Sequence, residues 1–530
     1  VGDVDGNGYD DMVIGGTSKY PAQLLLQQPD GKFIQRDLLP KGAYNPNDHF
    51  KDEGLLLFDA DGDGNLDLYV ASGGYESQPG SPSYQDRIYI NDGKGNFKEA
   101  TDALPKNFTS KLCVKAVDYN KDGKLDLFVS GRVEPWNYPK PVSSIILRND
   151  SKKGQIKFTD VTATVAKDLK DIGLVCDAIF TDFDNDGWPD LILTGEWMPV
   201  TFLKNDHGIY KNVTANTGIS DKFGWWNTIA AGDFEHNGRI DYIVGNVGLN
   251  TFYKGTDKYP VYITAKDFDN NGSYDAFPSL FIKDLDGDLQ EFPAQTRDDI
   301  VKQMISMRVK FQNYKSFAVA TMDSVITPEM RNGAIRLKAN TMQSCYLKNN
   351  GNGRFTMIPL PIEAQISQLN GIVVDDFDGD GNLDVAINGN DFGTEVSTGR
   401  YDAFNGLMLK GDGKGNFNPL TIQQSGIYIP GDGKALVKLK GANGSYLLAA
   451  SQNKDVMKVF ELKRAVNIIK LQPLDMFATI KYKNGKTSKE EFYNGTSFLS
   501  QSGRFMNIDK TMESIKITDS SGNVRNISLN

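Results

Sequence analysis

Apolar and polar positions follow one recurring pattern along this chain: an apolar run, D-x-D-x-[DN]-G-x-x-D, a second apolar run, then Gly. The clearest copy reads GLLLFDADGDGNLDLYVASGG. Copies begin at Asp3, Asp59, Asp118, Asp182, Asp267 and Asp376, with a degenerate one at Asp233. Most units then carry an apolar strand, an N-D-G type turn and a strand opening on Phe, as in IYINDGKGNFKEA. That second signature reads as a hairpin. Each unit is therefore expected to hold four short strands: one ending at the Asp loop, one leaving it, and the hairpin pair.

Units at 3, 59, 118, 182, 233 and 376, with a last one near 432 that lacks its Asp loop, make seven. A unit of this size cannot bury both faces alone, so the repeats predict an all-β fold, a seven-bladed β-propeller over residues 1–463. The long interval between 233 and 376 places a partly helical insertion, residues 256–343, in blade five. Within it Thr296 reads as a helix N-cap and Thr327-Pro328-Glu329 as a second helix start. An eighth blade at Asp267 is the alternative, disfavoured because helix-like sequence, not a hairpin, follows it. Residues 464–530 lack Asp loops and alternate strand-like runs with turns, as a separate small β domain would. The chain opens inside a loop, at VGDVDGNGYDD, so the first strand of blade one and any signal segment are expected upstream.

Composition then narrows the chemistry. Fifty-three glycines in 530 residues suit a turn-rich β protein, and 11% aromatics argue against disorder. Cys113, Cys176 and Cys345 make no disulfide framework and read as buried small residues. His49, His207 and His236 supply no H-E-x-x-H zinc helix, so metal chemistry here uses oxygen ligands. No apolar run approaches the ~18 residues of a membrane span. A net charge of −10 disfavours nucleic acid as a partner, and no RNP or KH-like signature is present.

Acids at loop positions 1, 3 and 5 turn their oxygens towards one centre, Gly at position 6 permits the sharp turn, and Asp at position 9 closes the shell. Six to eight hard oxygens in a flexible cage suit Ca²⁺. The expected ligands are Asp3, Asp5, Asn7 and Asp11; Asp59, Asp61, Asp63 and Asp67; Asp118, Asn120, Asp122 and Asp126; Asp182, Asp184, Asp186 and Asp190; Asp267, Asp269, Asn271 and Asp275; and Asp376, Asp378, Asp380 and Asp384. About six structural calcium ions follow. An EF-hand is excluded by β-rich flanks and by the missing Glu at position 12. The Asp233 loop, with Glu235, His236 and Asn237, is expected to bind weakly or not at all. Repetition favours metal ligation over a glycosidase acid/base pair, which needs a single site. Twenty-one of the 68 acids lie in the six good loops, so six bound calcium ions would move the formal charge from −10 to +2.

In a four-stranded blade the Asp loops share one face, and the loops between second and third strands share the other. The latter concentrate Tyr75, Arg132, Trp136, Tyr138, Trp197, Arg400, Tyr401 and Asp402, aromatic platforms beside polar groups that suit a glycan or an extended peptide. Trp188, Trp225 and Trp226 read as packing residues. No G-x-S-x-G elbow, P-loop or zinc helix is present. A non-enzymatic binding or scaffold protein is therefore the leading reading, with a calcium-dependent polysaccharide lyase or hydrolase acting from the loop face as the alternative.

The D-x-D-x-D-G-x-x-D units resemble FG-GAP/VCBS repeats, the calcium-loop blades also found in integrin α-subunit heads. The tail, EEFYNGTSFLSQSGRFMNIDKTMESIKITDSSGNVRNISL, resembles the ASPIC/UnbV domain. With KDFDNNGSYD, RDDIVKQMISMRVKFQNYKSFAVAT, VDDFDGDGNLD and TGRYDAFNG, the chain is similar to the large VCBS-repeat surface lipoproteins of Bacteroidetes. That resemblance implies an extracellular or outer-membrane-surface location and a SusC/SusD-like outer-membrane nutrient transporter as a partner.

Overall fold

The computed structural model describes residues 1–40, 42, 50–396 and 398–529; His49 falls outside them. Seven antiparallel sheets follow one another along the chain, each keeping its strands in chain order. Sheet 1 holds Met12–Ile14, Gln23–Gln27 and Phe33–Asp37; sheet 2 holds Asp52–Phe58, Asp67–Ser72, Arg87–Asn91 and Phe97–Glu99. Sheet 3 holds Ser110–Val117, Asp126–Val133, Ile145–Asn149 and Phe158–Asp160; sheet 4 holds Leu174–Thr181, Asp190–Pro199, Thr201–Asp206 and Ile209–Asn212. Sheet 5 combines Thr228–Gly232 and Asp241–Gly245 with Cys345–Gly351 and Arg354–Pro359; sheet 6 holds Leu369–Asp375, Asp384–Gly389, Leu407–Gly411 and Phe417–Leu420. Sheet 7 has three strands, Gly433–Lys440, Tyr446–Gln452 and Lys458–Glu461.

The first strand of a unit reads as a near-continuous apolar run because it is covered on both faces. Side chains alternate across a strand, and here successive residues enter successive interfaces. Ala178 packs towards sheet 3 with Phe128 and Ile146, while Ile179 packs towards sheet 5 with Ile229 and Tyr242. Ala230 and Ile372 meet between sheets 5 and 6, and Val373 and Leu436 between sheets 6 and 7. Val437, Leu439 and Ala449 of sheet 7 pack with Met12 and Leu25 of sheet 1, so the series of interfaces returns to its start. Burial falls outwards: Leu174–Thr181 is buried throughout, whereas Phe97–Glu99 buries only its Phe.

Between the second and third strands of sheet 5 lies an additional sheet, ordered Leu289–Pro293, Asp275–Lys283, Val261–Lys266, Ile335–Ala339. A hairpin does follow the Asp267 loop, which corrects the expectation that helix-like sequence comes directly after it. The strand order nevertheless differs from the seven units, because the last strand joins the far edge of the first. The helix capped by Thr296 spans Arg297–Gln303, and the Thr296 side chain accepts from the Asp299 N–H. The second expected helix start is a correction: residues 328–333 form turns, because the chain must enter the strand at Ile335 within a few residues. A separate core of Phe277, Ile300, Met304, Phe311 and Met322 holds this segment together.

The tail forms a sheet ordered Thr487–Glu491, Asp475–Tyr482, Met512–Asp519, Val524–Ile527, and a pair Asn467–Lys470 with Phe505–Ile508. Residues 489–503 hydrogen-bond to every one of the seven units. The Gln501 side chain receives the Leu57 N–H at 2.7 Å and donates to the Leu57 carbonyl at 2.9 Å. The Ala116 N–H reaches the Asn494 carbonyl at 2.9 Å, and the Ile372 N–H reaches Ser497 Oγ at 2.6 Å. Lys438 N–H donates to Ser502 Oγ at 3.1 Å, Lys489 N–H to Asp233 Oδ2 at 3.1 Å, Thr181 Oγ1 to Glu491 at 2.7 Å, and the Val1 amino group to the Gln501 carbonyl at 3.2 Å. A first strand pairs with its sheet on one edge only, and buried backbone groups on the other edge need partners. The tail supplies them in sheets 2, 3, 6 and 7. Among the described residues no helix is long and apolar enough to cross a membrane.

Candidate functional site: the Asp loops and an aromatic face

Each Asp loop is a turn wound around its own first residue. Asp182 accepts from the Asp186 and Gly187 N–H groups at 2.9 and 3.0 Å, and Asp118, Asp233 and Asp267 repeat this with positions 5 and 6 of their loops. The position-6 glycine has positive φ, between 76° and 95° at Gly64, Gly187, Gly238 and Gly381, which a side chain would strain. The position-9 Asp brackets three elements. Asp190 takes the Phe183 N–H from the loop at 3.2 Å and the Asn205 N–H from the third strand at 2.7 Å; Asp67 does the same with Ala60 and Asn91.

Five loops bring three carboxylates together, with ligand oxygens within 4.8 Å of one another: Asp3, Asp5 and Asp11; Asp59, Asp61 and Asp67; Asp182, Asp184 and Asp190; Asp267, Asp269 and Asp275; Asp376, Asp378 and Asp384. These groups can hold a metal ion. Asp3 Oδ1, Asp184 Oδ1, Asp269 Oδ1 and Asp275 Oδ1 are buried with no hydrogen-bond donor, as cation ligands would be. Position 5 is used differently: Asn7, Asp63, Asp122, Asp186, Asn271 and Asp380 each accept the N–H two residues on. In the Asp118 loop Asn120 stands where the others have a carboxylate; Asp126 Oδ2 is nevertheless buried without a donor, and Asp118 accepts from Ser520 of the tail at 2.8 Å.

Burial, partly offset by the backbone donors, pushes the position-9 carboxyls up: Asp11, Asp67 and Asp384 to about 7, Asp126 to about 8, Asp190 to about 9 and Asp275 to about 6. Two loops also meet an internal cation. Lys204 pairs with Asp184 and, at 2.8 Å, with Asp186; Lys410 pairs with Asp378 and, at 3.1 Å, with Asp380. In the degenerate loop Lys348 pairs with Glu235 at 2.6 Å.

A set of residues that sequence reasoning missed links the loops to one another. Asn205 Nδ2 donates to the Pro189 carbonyl of its own unit and the Tyr119 carbonyl of the unit before, both at 3.0 Å. Asn91, Asn149 and Asn349 make the same two bonds, and Gln27 reaches the Asp10 and Lys440 carbonyls, joining sheets 1 and 7. Their signal was the Asn that recurs near the end of the third strand in sheets 2 to 5. Asn205→Ala strands two buried carbonyls and should cost ~1–3 kcal/mol in urea unfolding; a change within error would contradict this linking role.

At the opposite ends of the same strands, four of the expected ligand residues interlock. Trp136 Nε1 donates to the Tyr75 carbonyl at 3.1 Å, the Tyr138 N–H to the Tyr75 hydroxyl at 3.2 Å, Tyr138 Oη to Glu196 at 2.8 Å, and Arg132 pairs with Glu196 at 2.6 Å. Trp136 and Tyr75 stay 52% and 41% exposed. Trp197 is a correction: it lies on the strand Asp190–Pro199 rather than on a loop, buried, donating to Tyr138 Oη at 2.6 Å and edge-on to Trp225. Tyr401 joins the same core through Thr251 at 2.7 Å, Arg400 lies over Phe392, and Asp402 is exposed. Arg132 Nη1 and Trp225 Nε1 are buried donors without partners here. Trp226 is fully buried, whereas Trp188 lies between Lys121 and His207 at the loop rim. The cysteines are buried and free, their thiols pushed up to about 12 by burial.

Residues 3–70, 59–129 and 182–244 match the FG-GAP-like repeat family. No curated protein matches the chain. Among solved structures, the V. cholerae biofilm matrix protein Bap1 is similar at 10% identity over 87% of this chain and 86% of that one, with a TM-score of 0.33. The rhamnogalacturonan lyase YesW aligns at 10% identity over 98% and 75%, TM-score 0.24, and a Bacillus licheniformis rhamnogalacturonan lyase, PL11, at 10% over 99% and 86%, TM-score 0.23.

Proposed function

We propose that this FG-GAP-repeat chain is a calcium-stabilised, non-enzymatic binding scaffold: a seven-bladed β-propeller that presents an aromatic face to a glycan or peptide. The seven successive sheets, with sheet 7 packed on sheet 1, support the propeller. Oxygen-only donor sets with buried, donorless carboxylate oxygens favour calcium over softer metals. The Asp residues of the loops would hold the ion, which would join first and second strands within each unit.

One observation carries the binding reading. Exposed Trp136 and Tyr75 connect through Tyr138 to Glu196, the partner of Arg132, and to Trp197, which packs on Trp225; Arg132 Nη1 and Trp225 Nε1 are buried donors without partners. Aromatic faces with a few fixed donors are the chemistry of carbohydrate and peptide recognition. A location on the outer cell surface, beside a SusC/SusD-like transporter, fits such a scaffold, with the tail as an ASPIC/UnbV-like domain.

Glycan and peptide arrays, followed by calorimetry on the hits, test this. Trp136→Ala should weaken the best ligand ~10-fold or more and leave the melting temperature unchanged. New reducing ends or unsaturated products on incubation with polysaccharide would overturn the non-enzymatic reading in favour of a lyase or hydrolase.

A further inference from the structure

A cavity that none of the aromatic-face residues lines lies between the tail and the first strands of sheets 5, 6 and 7. This cavity of about 140 Å³ is walled by Ala231 of sheet 5, Val374 of sheet 6, Lys438 of sheet 7 and both tail sheets. Its polar groups are incompletely satisfied, and they are of both signs.

Two guanidiniums reach it, and both spend their bonds on neutral oxygens. Arg464 donates to the backbone carbonyls of Phe377 and Asp376. Arg504 donates to the Pro473 and Asp475 carbonyls and to Asn494 Oδ1, and its Nε–H is buried without an acceptor. On the acceptor side, Asn507 is only 7% exposed; its amide nitrogen is committed to Asp375 at 2.9 Å, and its Oδ1 has no donor. The Glu490 carboxyl lines the same space, and among the described residues no hydrogen bond or ion pair is made to it. Burial pushes that carboxyl up to about 7. Leu383, Ile480 and Met512 form an apolar part of the wall, and the other charges that line it include two ion pairs, Lys438 with Asp375 and Lys489 with Glu491.

We propose that this cavity is a binding site for a small zwitterion, an α-amino acid with an aliphatic side chain. Guanidinium donors take the carboxylate with planar, charge-assisted bonds. Glu490 and Asn507 Oδ1 accept from the ammonium, which holds Glu490 ionised. The aliphatic group meets the apolar wall. A ligand so placed touches ring and tail together, so binding also strengthens their contact.

Calorimetry on the full, calcium-loaded chain tests the proposal with three probes of one shape: L-leucine, leucinamide without the carboxylate, and 4-methylpentanoate without the ammonium. Leucine should bind saturably and each analogue ~10-fold or more weakly. Glu490→Gln, which breaks no existing bond, should lower leucine affinity ~10-fold and abolish its advantage over 4-methylpentanoate, with an unchanged melting temperature. Ala231→Leu, which fills the cavity, should remove leucine binding. No saturable leucine signal, equal binding of the three probes, or unaltered binding by folded Ala231→Leu would each overturn the assignment.

Discussion

Stripping divalent ions from this protein should lower its melting temperature by ~10 °C or more near pH 8, and by far less near pH 5. Five loops each hold three carboxylates with ligand oxygens inside 4.8 Å, and several of those oxygens are buried without a donor. Without a cation the like charges repel, and burial disfavours the ionised form. A calcium site held at a hundred times its dissociation constant adds about 2.7 kcal/mol, so several sites sum to a large effect. The pH dependence follows from the position-9 residues. Asp11, Asp67 and Asp384 titrate near 7 in the metal-free fold, well above an ordinary carboxyl. A raised folded value makes the proton a stabilising ligand: the contribution is full below about pH 4 and is lost as pH rises through about 7. Metal-free protein should therefore melt higher at pH 5 than at pH 8. Calcium needs the ionised form, so its stabilising effect should grow over the same interval. Scanning calorimetry with chelator and with calcium at the two pH values decides it, and an equal calcium-induced shift at both would refute the ligand assignment.

The second large effect concerns a single ion pair. Lys115 and Asp177, 2% and 0% exposed, face each other at 2.8 Å between sheets 3 and 4. Lys115 Nζ also donates to the Ser497 carbonyl at 2.9 Å, and Asp177 accepts from the Ile229 N–H of sheet 5 at 3.2 Å. Three sheets and the tail thus share one charge pair. Burial raises Asp177, and Lys115 opposes that shift. Lys115→Met keeps the volume of the stem but strands a buried carboxylate, and should cost ~3–5 kcal/mol in denaturant unfolding. Asp177 would then ionise only at a much higher pH, so the variant's deficit should shrink in acid. A deficit below ~1 kcal/mol, the size of a surface pair, would show that the pair is not the buried link described above.

Much of this was legible from the chain alone, for a physical reason. A loop that winds around Asp182 and turns on Gly187 must carry those residue types at those spacings, so the repeat announces itself seven times, one copy degenerate and one without its loop. Asn91, Asn149, Asn205 and Asn349 looked like ordinary turn residues, because a bond to the neighbouring unit leaves no local trace. Lys115 and Asp177 lie in apolar strands, SKLCVKAV and LVCDAIFT, where a lone charge reads as a solvent-facing position. Trp197 sat in a stretch with Gly and Pro and read as loop, yet strand pairing continues through it. Gln501 and Ser497, two of the tail residues that together reach every sheet, are uncharged and follow no period. Only their position in three dimensions distinguishes them.

The tail contacts have a consequence for how the chain reaches this state. Gln501 meets Leu57 across 444 residues, and the Val1 amino group meets the Gln501 carbonyl across 500. Gln27 bonds to the Lys440 carbonyl across 413. Pairings this distant delay folding, because the closing loop is ordered before its contacts reward it. The early sheets can assemble as they are synthesised, but their inner strand edges stay open until residues 489–503 arrive. Completion of the fold is therefore tied to synthesis of that stretch, and a product truncated before it leaves the inner edges of sheets 2, 3, 6 and 7 uncapped, the kind of surface that recruits other strands.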